Sequence, residues 1–411
     1  MIVLTLIKNN RNDLHYRKRK PGILKDTSGK LILNTNQKLK KWTEYINELF
    51  GDVRTEHMEI EVGDNEVLKI LKTEIKTAIK NSTNGKAMGA DQIPVETLKC
   101  MNDETLEILL DLFNQVYKTG HIPEQWLLST FCAIPKATNA KDCCDYRTIS
   151  LISHTLKVFL KVIHGRISRK LEEEIDESQF GFRNGLGTRK ALFALNVLAQ
   201  RCMDMNIDIH VCYVDFEKAF DKVRHEKLVQ ILQAKNIDKG DLRIITNLYW
   251  NQRAQIIVDN EKSSEMNIKR GLRQGCVMSP LLFNVYSESI FKEALLSKNE
   301  RIITYEKVIS NIRFADDTVI IASSAEELQR LLSRTITFCE QHGLKINVKK
   351  TKYMIITKGT DIQANINLLG RQIERGTWIT ENNEQTTEIR TRIETARNAF
   401  VKLKQSSVPE T

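Results

Sequence analysis

Long apolar runs are missing from this 411-residue sequence. Nothing in it approaches the roughly 18 apolar residues that a membrane-spanning helix needs. The opening MIVLTLI is apolar, but Lys8 and Asn9 interrupt it too soon for a secretory signal core. No membrane partner and no secretion are expected, and a nuclear or cytoplasmic location follows by default. Paired-cysteine spacing is missing as well. The eight cysteines run from Cys100 to Cys339 without a CxxC, and no histidine lies at a zinc-ligand interval from a cysteine pair. They read as reduced core thiols, and no structural zinc is expected. No internal repeat stands out.

What is present is charge on a folded background. Hydrophobic residues make up 41%, charged residues 28%, and the mean hydropathy is -0.34. This is the composition of a folded soluble protein, long enough for two or three modules. A net charge of +10 and a pI near 9.1 favour a polyanionic partner, because each neutralised phosphate releases counterions. Residues 10–45 are polar and basic, with HYRKRKPG around Arg17–Lys20, and read as a solvated linker or a phosphate-binding patch.

From Asp103 the pattern becomes regular. Leu106, Leu109, Leu110, Phe113, Val116 and Tyr117 predict a helical face that Gly120 can end. Leu156 to Leu171 predicts a second helix. HVCYVDF (210–216) reads as a strand with a helix after it over 225–235. RAQIIVDNEKSSEMNIKRG (253–271) reads as a hairpin and 279–296 as an apolar helix. A second hairpin spans 308–322 with 315–317 at its tip, followed by a helix closed at Gly343 and a strand over 344–356. The order predicts an α+β fold, an antiparallel sheet backed by helices.

Two acidic sites are costly in such a frame. Asp215 ends an apolar strand, and Asp316-Asp317 lies between two apolar strands in IRFADDTVII. An ionised carboxylate against buried surface must be paired or bind metal. A lone Asp at a strand end is also an ordinary turn or helix cap, whereas an Asp pair at a hairpin tip is eased by a divalent cation. The sites are 101 residues apart in the chain, so only the fold can bring them together. If they meet, hard oxygens of this kind suit Mg²⁺, with two ions about 4 Å apart serving nucleotidyl transfer. A metal-dependent hydrolase built on the same aspartates lacks the usual His or Glu base nearby.

YVDFEKAFDKV (213–223), RGLRQGCVMSPLLFNVY (270–286), FADD (314–317) and GLKINVKKTKYMII (343–356) resemble motifs A, B, C and D of LINE-type, non-LTR retrotransposon reverse transcriptases. GADQIPVETLK (89–99), IPKATNAKDCCDYRTISLIS (134–153) and QFGFRNGLGT (179–188) are similar to the finger motifs, in the family's order. Group II intron maturases share the polymerase motifs, but FADD and RQGC with YVDFEKAFD lean to the LINE type. The resemblance implies a right-hand polymerase with fingers, a palm sheet and a truncated thumb. Residues 1–84 would be a basic linker or extension, 85–374 the fingers and palm with core motifs over 116–358, and 375–411 the start of the thumb.

The same resemblance implies an RNA template, a DNA primer and deoxynucleotides as partners, with two Mg²⁺ ions as cofactor and Mn²⁺ as a substitute. Asp215, Asp316 and Asp317 would be metal ligands, and Phe216 would offer its backbone carbonyl. Phe220 would be the steric gate under the incoming sugar. Gln274 and Gly275 would line the nucleotide pocket, and Arg147 would clasp the triphosphate with either Lys136 or Lys141. Lys350 would protonate the leaving pyrophosphate. Asp221 and Arg183 match motif positions with structural or template-facing roles.

The chain departs from the family in two places. Thr148 stands where relatives have proline in YRPIS, and QIE (372–374) runs almost directly into RGTWITEN (375–382). The KYLG-like primer-grip hairpin is therefore expected to be deleted or replaced, with 384–404 as the first thumb helix. KWTEYINELF (41–50) resembles the joint between an endonuclease and the polymerase, but no endonuclease, RNase H or zinc knuckle is recognised. A fragment of a longer reading frame, or a remnant that binds nucleic acid without extending a primer, is the alternative expectation.

Overall fold

A computed structural model describes residues 24–375, apart from the short stretches 27, 55–58, 64–67, 138, 296–301, 305–306 and 358–363. The basic run at 17–20 and the expected thumb helix at 384–404 lie outside the described residues.

The strand Ile209–Val214 is the centre of the protein. Successive side chains of a strand point to opposite faces, and here both faces are apolar. Ile209 and Val211 meet Leu195, Leu198 and Cys202 of the helix Thr188–Asp204. Cys212 and Val214 enter the main core on the other face. This central strand pairs antiparallel with Asp317–Ala322 on one side and Lys352–Ile356 on the other. Asn311–Phe314 extends the sheet at one edge and Glu374–Arg375, running parallel to Lys352–Tyr353, at the other. The helices Ser279–Ala294 and Ala325–Gln341 back it. The α+β architecture expected from the sequence is the one observed.

A second sheet has the order Tyr146–Leu151, Leu128–Pro135, Arg253–Val258, Glu261–Lys262, with Met266–Asn267 also on Arg253–Ala254. Two expectations are corrected here. First, residues 24–54 are not a linker. Asn34 caps a helix over Thr35–Phe50, and Leu39, Trp42, Ile46 and Leu49 make one apolar stripe. That stripe closes a core with Phe131, Tyr146, Ala254 and Ile256 of the second sheet. Second, only Lys352–Ile356 of the strand expected over 344–356 is ladder. Asn347–Thr351 is a turn in which the Lys350 and Thr351 N–H groups both donate to the Asn347 carbonyl.

A hairpin also lies upstream of the junction between QIE and RGTWITEN, and the stretch after residue 375, where the primer-grip hairpin is expected to be deleted or replaced, lies outside the described residues. Asn367–Leu368 pairs with Arg371–Gln372, and the two turn residues Leu369 and Gly370 have φ of 50° and 74°. Two positive φ values match the right-handed twist of a two-residue hairpin. Gln329 of the helix behind pins it through the Asn367 N–H and carbonyl. Leu-Gly is not the Asn-Gly or Asp-Gly signal of such turns, which is why the hairpin is hidden in the sequence.

Arg54 joins the N-terminal segment to the rest. Its guanidinium donates to the Trp250 and Ile268 carbonyls and, at 2.7 Å, to His225 Nδ1. Arginine has only donors, so Nδ1 accepts and Nε2 donates to the Gly271 carbonyl at 2.7 Å. Burial first, and the Arg54 charge second, push the imidazole down to about 3. A depressed folded-state value means that the stabilising neutral ring is fully in place above about 6.5 and is lost as pH falls toward 3. Urea midpoints compared between the protein and His225→Gln should therefore diverge in slope below pH 6.5. The natural chain should lose up to about 1.4 kcal/mol more per pH unit, and parallel curves would contradict this account.

Candidate active site

The sheet register decides whether the carboxylates meet. Thr318 lies opposite Val214 in the last pair of the antiparallel ladder, so Asp317, just before Thr318, and Asp215, just after Val214, come off the same end side by side. Asp316 sits at the turn between Phe314 and Asp317. All three are thus at one end of two adjacent strands. Burial pushes the Asp215 and Asp316 carboxyls up, and Asp316 is pushed further by the charge of Asp215. Asp317 is raised by burial, then by Asp316 and Asp215. The Asp317 residue surface is open to solvent. Among the described residues no group of three or more His, Cys, Asp or Glu side chains forms a ready metal cage.

The motif D turn closes on Asp215. Asn347 N–H donates to the Asp215 carbonyl at 2.8 Å, and Phe216 bridges Ile346. This brings Lys350 Nζ within 3.6 Å of Asp215 Oδ1, a long ion pair between a mostly exposed amine and a half-buried acid. The Phe216 ring is buried in the core against Phe291.

The second sheet supplies the cations. Arg147 is exposed on its strand, and its charge acts on Asp316. Lys136 donates to the Cys144 carbonyl at 2.8 Å. Burial first, then the charges of Arg147 and Lys350, lower its affinity for a proton. The Lys141 backbone is held by Lys25, whose N–H donates to the Lys141 carbonyl, and by Asp145, which accepts from the Lys141 N–H. Of the two lysines left open by the sequence, Lys136 is the one grouped with Arg147 and Lys350.

Gln274 and Gly275 lie against the strand Tyr146–Leu151, where Ser150 N–H donates to the Gln274 carbonyl. Gly275 has φ of 106°, and a Cβ there would stand 3.2 Å from the Ser150 carbonyl oxygen. The Gln274 amide donates to Asp221 Oδ1 at 2.7 Å, so its side chain is committed to a buried acid and not directed to an open pocket. Burial raises Asp221 to about 6. Phe220 is stacked on Phe283, with centroids 4.2 Å apart and planes 14° apart. Arg183 donates to the Asp176 and Gln179 carbonyls.

Several residues that position the carboxylate turn are not evident from sequence patterns. Ala315 has φ of 59°, and Gln179 holds it there. Gln179 Oε1 accepts from the Ala315 N–H at 2.9 Å, and Gln179 Nε2 donates to the Ala315 carbonyl at 3.3 Å. Gly181 presses on the same turn; a Cβ on it would come within 2.2 Å of the Ala315 nitrogen. Arg313, buried two residues before the turn, pairs with the buried Glu288 at 2.7 Å. A signal for that pair exists in the sequence: one cation in NIRF and one anion, Glu288, within the apolar body of the helix Ser279–Ala294, ahead of the charged pair Lys292-Glu293 at its end.

Residues 134–374 match the family model described as reverse transcriptase (RNA-dependent DNA polymerase). The RNA-directed DNA polymerase from mobile element jockey of Drosophila melanogaster is 26% identical over 310 residues, covering 73% of this chain and 33% of that protein. The Pol polyprotein from the type-1 retrotransposable element R2 of Nasonia vitripennis is 28% identical over 245 residues, 59% of this chain and 23% of that protein. A probable RNA-directed DNA polymerase from transposon BS of Drosophila melanogaster is 26% identical over 287 residues. The chain thus spans about a third or less of the length of these relatives. With the matched segment covering more than half of it, the chain belongs to the reverse transcriptase family and is related to the enzymes of non-LTR retrotransposons.

Proposed function

We propose that this chain is the fingers and palm of an RNA-directed DNA polymerase that adds deoxynucleotides to a DNA primer on an RNA template. The observation that carries this reading is the register that sets Asp317 beside Asp215 with Lys350 at 3.6 Å. The donor set fits divalent Mg²⁺, and Mn²⁺ in its place. It consists of carboxylate oxygens, and buried Asp215 Oδ1 has no hydrogen-bond partner among the described residues. Asp215, Asp316, Asp317 and the Phe216 carbonyl would hold the metal. When bound, it supplies charge neutralisation for the attacking and leaving oxygens.

The protein's own groups do the rest. Arg147 and Lys136 face the triphosphate from the second sheet, where a planar guanidinium can bind phosphate oxygens in pairs. Lys350 is within reach of the same place and delivers a proton to the departing pyrophosphate. Gly275 lets the backbone approach the new base pair, while Gln274 fixes that loop through Asp221. Phe220, held flat by Phe283, blocks a 2′-hydroxyl. Residues 24–54 complete the fingers, and the thumb begins after residue 375. No described helix is long and apolar enough to cross a membrane.

The test is primer extension with poly(rA) template and oligo(dT) primer. Mg²⁺-dependent extension supports the reading. Binding of the hybrid without extension would instead make the chain a nucleic-acid-binding remnant. Phe220→Val should raise ribonucleotide incorporation at least about tenfold relative to deoxynucleotide, since a steric clash and not a hydrogen bond does the excluding. Unchanged sugar discrimination would remove Phe220 from that role.

A further inference from the structure

Phe182 is an aromatic residue in a place that packing does not explain. Its φ is 58°, a left-handed conformation that a bulky side chain rarely adopts. Its surface is 53% exposed. Its neighbours over-determine the backbone. Gly181, just before it, donates its N–H to Gln179 Oε1 and accepts from Asn284 Nδ2, both at 2.8 Å. Arg183, just after it, is tied to the Asp176 and Gln179 carbonyls.

Such strain persists only where the surroundings enforce it, and it concentrates at functional sites. The ring is held out at a definite place. One edge meets Phe220, with centroids 6.0 Å apart and planes at 85°. The chain that carries it presses on Ala315, next to Asp316. The ring is therefore beside Phe220, on the segment that packs against the carboxylate turn, with much of its surface open to water.

We infer that Phe182 is a contact for the RNA–DNA hybrid: its open face packs on the sugar edge of the base pairs next to the primer end. The assignment rests on the polymerase reading of the carboxylate site, which puts the primer end beside Asp316. A flat apolar surface suits this ligand, because aromatic contacts to bases and sugars tolerate any sequence. A polymerase must release each new pair whatever its identity, so contact without base readout is what the position requires.

The test is a fluorescence-anisotropy titration of a labelled RNA–DNA primer–template hybrid, run on the full chain without deoxynucleotides or Mg²⁺. Phe182→Asn keeps a residue that accepts positive φ and removes the ring. It should weaken hybrid binding about tenfold, within the range of one aromatic contact, with a melting temperature equal to the natural chain or higher. Phe182→Tyr should bind within about twofold, since the ring face is kept. Unchanged affinity in Phe182→Asn, or equal loss in Phe182→Tyr, overturns the assignment. So does a lower melting temperature in Phe182→Asn, which would make the ring a part of the core. Because binding is read without catalysis, a chain that never extends a primer would sink the polymerase reading and leave this measurement intact.

Discussion

Asp316→Asn should lower the rate of primer extension at least about a thousandfold, a loss of several kcal/mol of charge stabilisation in the transition state. The expectation follows from where the fold puts the side chain. Asp316 is in the turn beyond the ladder end formed by Thr318 and Val214, where Asp317 and Asp215 emerge together, and Gln179 and Gly181 clamp the turn. The substitution keeps shape and one acceptor oxygen but removes the charge that a divalent cation needs. Stability should not fall, because burial and the Asp215 charge both disfavour the ionised form. Single-turnover extension and a melting curve on the same preparation measure the two effects. A loss of only a few-fold, or a loss that tracks unfolding, would contradict the assignment.

The second large effect concerns stability. Arg313→Ala should destabilise the protein by roughly 3–5 kcal/mol, the usual cost of leaving one partner of a buried ion pair alone. Arg313 is 1% exposed and Glu288 7%. The Glu288 carboxylate that pairs with Arg313 also accepts from the Asp176 N–H at 3.2 Å. The guanidinium further lies over the Phe291 ring, 4.9 Å from its centroid. Removing both charges is a different experiment. Arg313→Met with Glu288→Leu should recover most of the loss, because apolar residues of similar size often replace such pairs at little cost. Urea midpoints for Arg313→Ala and for the double variant decide this. A double variant no more stable than Arg313→Ala would mean that the pair contributes by packing alone.

Much of the fold is legible in the chain because hydrophobic period and apolar flanking carry it. The central strand reads from HVCYVDF, the carboxylate hairpin from IRFADDTVII, and the helix ending at Gly120 from its spacing, with Gly120 at φ of 72°. What is hidden depends on long-range contact. Thr35–Phe50 has an apolar stripe, yet its basic surroundings read as solvated until the second sheet provides a partner. The Leu369-Gly370 turn uses a residue that seldom takes positive φ. Lys136 and Lys141 are equivalent in sequence, and only the fold shows that Lys136 feels the charges of Arg147 and Lys350. Gln179 is an ordinary polar residue in the sequence, and only the fold shows that its amide copies a backbone pairing with Ala315.

Metal-directed cleavage tests most directly whether the distant aspartates share one cation site. With Fe²⁺ in place of Mg²⁺, and ascorbate and peroxide added, hydroxyl radicals form at the bound ion and cut the backbone nearby. Cuts are expected at two places, around Asp215 and around Ala315–Asp317, with excess Mg²⁺ suppressing both together and Asp215→Asn weakening both. Cleavage at only one of the two, or cuts that persist in Mg²⁺, would show that these carboxylates do not hold a common metal.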